Sequence, residues 1–175
     1  MTLVDAGPLV ALIDSGEPDH ELCVSTLMSL QLPLVTTWAA FTEAMYLVGR
    51  AGAWVGQQAL CKLVSNADLI IAEHPRQVLP RIAKLMERYA DRPMDLADAT
   101  LVALAEERNT KRIFTLDADF SIYRLHGRAH FELLPASSSS TSQGSSWPRD
   151  QPAGTAGRKL REGLPVPAKA GRQTD

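Results

Sequence analysis

The chain opens Thr2-Leu3-Val4-Asp5-Ala6-Gly7-Pro8-Leu9-Val10-Ala11-Leu12-Ile13, and the reading of this stretch decides the fold. A short apolar strand ends in a carboxylate, turns at Gly7-Pro8 and passes at once into an apolar helical run. In open α/β sheets, ligands and chemistry collect beyond the C-terminal ends of the strands, which is where this pattern puts Asp5. The plan returns late in the chain, where Arg112-Ile113-Phe114-Thr115-Leu116 runs into Asp117-Ala118-Asp119-Phe120.

Working outward, Pro33-Leu34-Val35-Thr36 and Asp68-Leu69-Ile70-Ile71-Ala72 read as further strands, and Phe131-Glu132-Leu133-Leu134 as a short edge strand. Between them lie helical patterns: a short one after Pro8, a second after Ser15-Gly16-Glu17-Pro18 with Leu22, Val24, Leu27, Met28 and Leu30 as its apolar face, and others over about residues 38–49, 54–65, 77–90 and 94–108. Thr37 suits the N-cap of the helix beginning at Trp38. In the 77–90 helix, Val78, Ile82, Leu85, Met86 and Tyr89 face inward, and Arg81, Lys84, Glu87 and Arg88 outward. The helix from Met94 is apolar nearly all round until Glu106, so it should be buried. Strands alternating with helices imply an α/β fold with a mostly parallel sheet and helices on both faces.

Of 175 residues, 45% are hydrophobic, enough for one domain with a real core. Residues 136–175 hold six of the 18 Lys/Arg and three of the 20 Asp/Glu, leaving a body with 12 basic and 17 acidic residues, a balance of −5. A body of that charge holds no nucleic acid by net attraction; it would need a local basic rim or a bound metal. Cys23 and Cys61 form no metal-ligand spacing and read as buried thiols of a reducing compartment. Asp5 and Asp14 interrupt the first apolar stretch, which argues against a signal peptide, and no uncharged run reaches a membrane span of about 18 residues. A cytoplasmic protein away from membranes is expected.

From Ala136 onward the composition turns to Ser, Gly and Pro with few large apolar groups, which predicts a domain over residues 1–135 and a disordered tail over 136–175. So few apolar groups cannot offset a backbone ordering cost of about 1–2 kcal/mol per residue. Truncation after Pro135 is therefore expected to leave the melting temperature unchanged in a thermal scan, and a large fall would contradict the reading.

Each acid in this frame has an ordinary explanation. Asp5 can cap the first helix; Asp95 can cap a helix starting at Leu96, with Asp98 at the third helical position as an approximate capping box; Asp117 can form an Asx turn. Capping does not account for Glu43, which sits well inside its helix on a face shared with Ala39, Ala40, Tyr46 and Leu47, nor for Asp98 among Leu101 and Val102. A carboxylate on such a face is paired, protonated or bound to a cation. If these acids converge on Asp5, each pair repels by about 1–4 kcal/mol, and a site of that kind calls for a cation. Oxygen ligands without His or Cys select Mg²⁺ or Mn²⁺, metals that support in-line displacement at phosphorus. His20, His74, His126 and His130 lie in no triad or metal spacing and read as surface or structural residues, and no Gly-rich phosphate loop is present.

Taken together, Leu3-Val4-Asp5-Ala6-Gly7-Pro8-Leu9-Val10-Ala11-Leu12, Thr36-Thr37 followed by Glu43, Asp95-Leu96-Ala97-Asp98-Ala99 and Ile113-Phe114-Thr115-Leu116-Asp117-Ala118-Asp119-Phe120 resemble the PIN-domain nucleases, in particular the VapC-type toxins of prokaryotic toxin–antitoxin pairs. The pieces occur in family order across about residues 2–134. The resemblance implies a three-layer α/β/α sandwich and a Mg²⁺- or Mn²⁺-dependent endoribonuclease acting on RNA. It also implies a small antitoxin protein as partner, and a homodimer. Asp5, Glu43, Asp98 and Asp117 match the family's acidic quartet. Asp5 and Asp98 would hold the principal metal, while Glu43 and Asp117 would position a second ion or the attacking water. Asp95 and Asp119 fall at variable positions and count as auxiliary. Thr37 and Thr115 are placed to orient water or a phosphate oxygen, and Arg50, Arg92, Arg124 or Arg128 to form a rim for RNA.

Two other phosphate-handling folds fit less well. A haloacid dehalogenase-type phosphotransferase wants Asp-x-Asp where this chain has Asp5-Ala6-Gly7, and a receiver domain wants an acceptor Asp after Ile71-Ala72, where Glu73 stands. A housekeeping RNA-processing nuclease of the same fold stays open. So does a non-catalytic RNA-binding or scaffold module, whose expected sign is loss of acids from the quartet.

Overall fold

Successive side chains along a strand point to opposite faces of a sheet, and this alternation divides the core in two. Leu3, Val35 and Ile113 join one buried cluster; their neighbours Val4, Leu34 and Phe114 join the other. The computed structural model describes residues 1–136 except Pro93, with the side chains of residues 52 and 53 also left out; the expected disordered tail, save Ala136, lies outside the described residues. The strands are β1 (Thr2–Val4), β2 (Leu34–Thr37), β3 (Leu69–Ala72), β4 (Arg112–Phe114), β5 (Arg124–Leu125), β6 (Ala129–His130) and β7 (Glu132–Leu134). The helices are α1 (Ala6–Ile13), α2 (His20–Met28), α3 (Trp38–Ser65), α4 (Leu79–Arg88) and α5 (Leu96–Glu107), with 3-10 turns at Arg76–Val78 and Ala118–Ser121.

The sheet order is β3-β2-β1-β4-β7, and every pairing within it is parallel. Helices α4 and α5 cover the face carrying Leu3 and Ile113, and α1, α2 and much of α3 cover the other. This is the three-layer α/β/α arrangement that two-sided apolar strands require. The strand order reverses beside β1, so the crevice between the ends of β1 and β4 is a topological switch point, the standard ligand position in such sheets. Phe131-Glu132-Leu133-Leu134 does supply the edge strand, as β7 beside β4. The small antiparallel β5–β6 hairpin is absent from the sequence reading, because two-residue strands carry too little alternation to register.

Several expected faces are corrected. On α2 the buried residues are Cys23 and Thr26, while Leu22 and Met28 are exposed. A short helix at the margin of a layer buries a narrow stripe, and the apolar count overstates it. Arg81, assigned outward on α4, lies back over α5 and forks onto Glu106 through Nε (2.8 Å) and Nη2 (2.7 Å).

The segment Trp38–Ser65 is helical throughout, where the sequence predicts two helices, 38–49 and 54–65. It is not straight. Gln57 Nε2 donates to the Met45 carbonyl at 3.0 Å, although twelve residues of straight helix span about 18 Å. The two arms therefore fold back against each other, and glycines stand at the crossing: a Cβ at Gly49 would press on the Gln57 amide, and one at Gly56 would overlap Val48 Cγ1. Val48 and Leu60 are buried in the core cluster on either side of the reversal. Gly56→Ala is thus expected to destabilise by about 1–3 kcal/mol through overpacking, even though Ala is the better helix former by about 1 kcal/mol. Denaturant unfolding checks this, with Val48→Ala in the same chain restoring part of the loss.

Candidate active site

The ends of β1 and β4 are joined by one hydroxyl. Asp5 follows β1; its N–H donates to the Phe114 carbonyl at 3.0 Å, and its Oδ1 caps α1 by accepting from Ala6 N–H at 2.6 Å. Its Oδ2 accepts from Thr115 Oγ1 at 2.9 Å, and the same Thr115 oxygen accepts from Asp117 N–H at 3.0 Å. Thr115 thus fixes Asp5 and Asp117 relative to each other across the switch crevice. Asp117 forms the expected Asx turn, accepting from Asp119 N–H at 2.8 Å.

Asp95 caps α5 by accepting from Asp98 N–H at 2.9 Å. The reciprocal half of a capping box is replaced: the buried Asp98 carboxylate accepts from the Tyr123 hydroxyl at 3.1 Å. Tyr123 is itself fully buried, and a buried phenol needs such a partner. The sequence reading misses it, although a Tyr three residues after Phe120 is the kind of amphipathic side chain that a nearby buried acid recruits.

Glu43 is half-buried on α3, and among the described residues no hydrogen bond or ion pair is made by its carboxylate. Its face is less enclosed than the sequence predicts, since Tyr46 is 60% exposed. Thr37 is fully buried and committed: it accepts from Ala40 N–H at 3.3 Å. Its hydroxyl also lies 2.8 Å from Thr100 Oγ1, whose own proton goes to the Ala97 carbonyl. Thr37 and Thr115 therefore set the placement of α3, α5 and Asp5. Arg124 turns its Nη1 onto the carbonyls of Ser121, Ile122 and Tyr123, and Arg92 leans toward Asp119 at 3.9 Å. Arg50 and Arg128 stay exposed.

The acids act on one another. Burial raises Asp5 to about 6, offset by the Ala6 N–H and Thr115 and increased by the charges of Asp117 and Asp95. Burial, with Asp5, Asp95 and Asp117 nearby, pushes Asp98 up to about 8. Glu43 rises to about 7 through burial and through Asp95, Asp5 and Asp117. Asp117, on the open side of the crevice, is also raised, by desolvation and by Asp119 and Asp95 against the Asp119 N–H. Asp95, counted as auxiliary, bears electrostatically on all four. Among the described residues, no three Asp, Glu, His or Cys side chains are grouped closely enough to grip one ion as placed.

Beside the acids lies a groove of about 840 Å³, lined by Trp38, Thr42, Glu43 and Tyr46 of α3 and by Asp95 and Leu96 at the start of α5. His74, just after β3, also lines it; burial lowers its pKa, and its ring nitrogens have no protein partner among the described residues. Its place here is a second feature that sequence spacing does not disclose.

A family model described as PIN domain matches residues 2–124. The chain belongs to the PIN domain family. It is 28% identical over 134 residues to ribonuclease VapC26 of Mycobacterium tuberculosis, a match covering 76% of this chain and 99% of that protein. The PIN fold is also seen in the crystal structure of Mycobacterium tuberculosis VapC20, a sarcin–ricin loop cleaving toxin (TM-score 0.66, 17% identity, 70% of this chain and 94% of that one). A toxin–antitoxin complex from Klebsiella pneumoniae shares it as well (TM-score 0.54, 19% identity, 69% and 91%). The family match spans Asp5, Glu43, Asp95, Asp98, Thr115, Asp117 and Asp119, so all the acids described above fall inside the PIN domain.

Proposed function

We propose that this PIN domain is a metal-dependent endoribonuclease that hydrolyses RNA phosphodiester bonds, working as the toxin of a toxin–antitoxin pair, with residues 1–135 as the catalytic unit. The observation that carries the proposal is the elevation of Asp5, Glu43 and Asp98 beside the switch point, by burial first and by neighbouring carboxylates, Asp95 and Asp117 among them, second: buried acids crowded by other acids are short of positive charge. The donor set is oxygen only, which fits Mg²⁺ or Mn²⁺. Asp5 and Asp98 would hold such an ion, with Glu43 and Asp117 completing its surroundings. A divalent cation bound there supplies charge neutralisation for the phosphate and a lowered pKa for the attacking water.

The chain's own residues do the positioning. Thr115 holds Asp5 and Asp117 in register, Tyr123 fixes the rotation of Asp98, and Glu43, without a hydrogen-bond partner among the described residues, can turn toward water. The likeness to ribonuclease VapC26 supports RNA as substrate. A small antitoxin and a homodimer belong to the same proposal; the exposed Met28, Trp54 and Val55 offer apolar surface for such contacts. Among the described residues no helix is long and apolar enough to cross a membrane.

The test is cleavage of structured and single-stranded RNA by the purified full chain with Mg²⁺ or Mn²⁺ against EDTA. Cleavage that needs the metal is the expected result. Equal cleavage in chelator would sink the metal mechanism, and RNA binding with no cleavage under any metal would leave a non-catalytic PIN module.

A further inference from the structure

The groove beside the acids combines exposed aromatic rings with carboxylates. Trp38, Thr42, Tyr46 and Arg50 recur every four residues on α3 and are all exposed, forming a stripe with steps of about 6 Å. Trp38 is 56% exposed and Tyr46 60% exposed. Trp38 is steadied by an edge contact to Phe41, with centroids 6.1 Å apart, and the Arg50 guanidinium lies 5.8 Å from the Tyr46 ring centroid. Glu43 and Asp95 line the same groove. Carboxylates and exposed rings therefore share the groove, with Glu43 between Trp38 and Tyr46 along α3, and Arg50 stands one helical turn beyond Tyr46, outside the lining.

We infer that this groove is a nucleobase subsite, in which unpaired bases next to the cleaved phosphate stack on Trp38 and Tyr46. The inference rests on the RNA-cleaving reading above and names what holds the substrate beside it. Aromatic faces bind unpaired bases with little sequence preference, and a guanidinium by the second ring accepts the next phosphate. A wholly apolar protein segment filling the same space would seal the Glu43 carboxylate away from water without a partner, which is costly. A nucleotide avoids that, because its phosphate belongs with a cation beside the carboxylates and its base with the rings. The volume lies within the range of about 300–1,000 Å³ usual for small-molecule sites.

The experiment measures binding of a 5′-labelled, mixed-sequence, twelve-nucleotide single-stranded RNA to the full chain carrying Asp5→Asn, with Mg²⁺ present. A probe of equal length made of abasic sugar-phosphate serves for comparison. Trp38→Ala and Tyr46→Ala should each weaken RNA binding about 5- to 100-fold, Trp38→Phe should stay within about threefold of the parent, and all variants should bind the abasic probe alike. Melting temperatures confirm that these surface variants fold. The subsite is overturned if the Ala variants bind RNA within about twofold of the parent, if they lose the abasic probe equally, or if they alter only the sedimentation coefficient, which would make the groove a contact between copies. Failure of the nuclease reading is separate: it appears as RNA binding by the unsubstituted chain with no cleavage under any metal.

Discussion

Asp5→Asn is expected to cut RNA cleavage by about 10²- to 10³-fold without unfolding the protein. The change keeps the shape and one oxygen, so the cap on Ala6 N–H survives, but it removes the charge that would hold a cation at the switch point. Losing one such electrostatic contact in a water-poor site costs about 3–4 kcal/mol of transition-state stabilisation, which is the stated factor. It also leaves Thr115 badly served: its proton now points at Asp5 Oδ2, and an amide nitrogen there cannot accept it. Asp98→Asn should be as damaging for the same reason of charge. Asp95→Asn separates the two readings of the acids. Asn caps a helix as well as Asp does, so stability holds, and only the Coulombic influence on the other acids is lost. Asp95→Ala should add about 1 kcal/mol of destabilisation. Single-turnover cleavage beside thermal unfolding of the four variants checks the set; unimpaired cleavage by both Asp5→Asn and Asp98→Asn would end the metal mechanism.

The second large effect is on stability. Asp5, Glu43 and Asp98 hold protons in the folded state up to about 6, 7 and 8, against ordinary values of 3.8, 4.5 and 3.8. Between about pH 4 and 8 the native protein therefore binds more protons than the unfolded chain, so stability falls as pH rises. Their contribution is complete below about pH 4 and lost above about pH 8. Glu106 works the other way: held by Arg81 and the His126 N–H, its pKa is depressed, and its contribution is lost as pH falls through that lowered value. In EDTA the melting temperature should drop by roughly 5–15 °C from pH 5.5 to 8.5, the equivalent of a few kcal/mol for a chain of this size. Mg²⁺ should reverse most of the drop at pH 8.5 by mass action on the native state, and Asp98→Asn should flatten it. A scan that is flat in EDTA, or indifferent to Mg²⁺, would show that the acids do not burden one another.

The parts of this molecule that were legible in its sequence share a physical cause. Asp5, Asp98 and Asp117 stand out because a charge beside buried apolar residues violates the local pattern, and the strands around Leu3, Val35 and Ile113 because apolar pairs have two faces to fill. The fold-back of α3 was half legible: the glycines at 49 and 56 mark close approach, but nothing local says that the helical backbone continues between them. Tyr123 and His74 were not legible, since the acid and the groove they face come from elements about 25 residues away in sequence or more. The protein hydrogen bonds of Thr37 and Thr115 were not legible either, because sequence shows a hydroxyl and not how many of its bonds are already taken.

The hydrogen bond from Thr115 to Asp5, which also fixes Asp117, spans 110 residues of chain. The N-terminal strand emerges from the ribosome early, at a pace of about 5–20 residues per second, whereas its partner β4 begins only at Arg112. Any product of interrupted translation that stops short of that strand lacks Thr115 and Asp117 and holds an unfinished set of acids. On the proposed nuclease reading, the order of synthesis would act as a safety catch, since a nascent chain that stops short of Thr115 lacks part of the acid set.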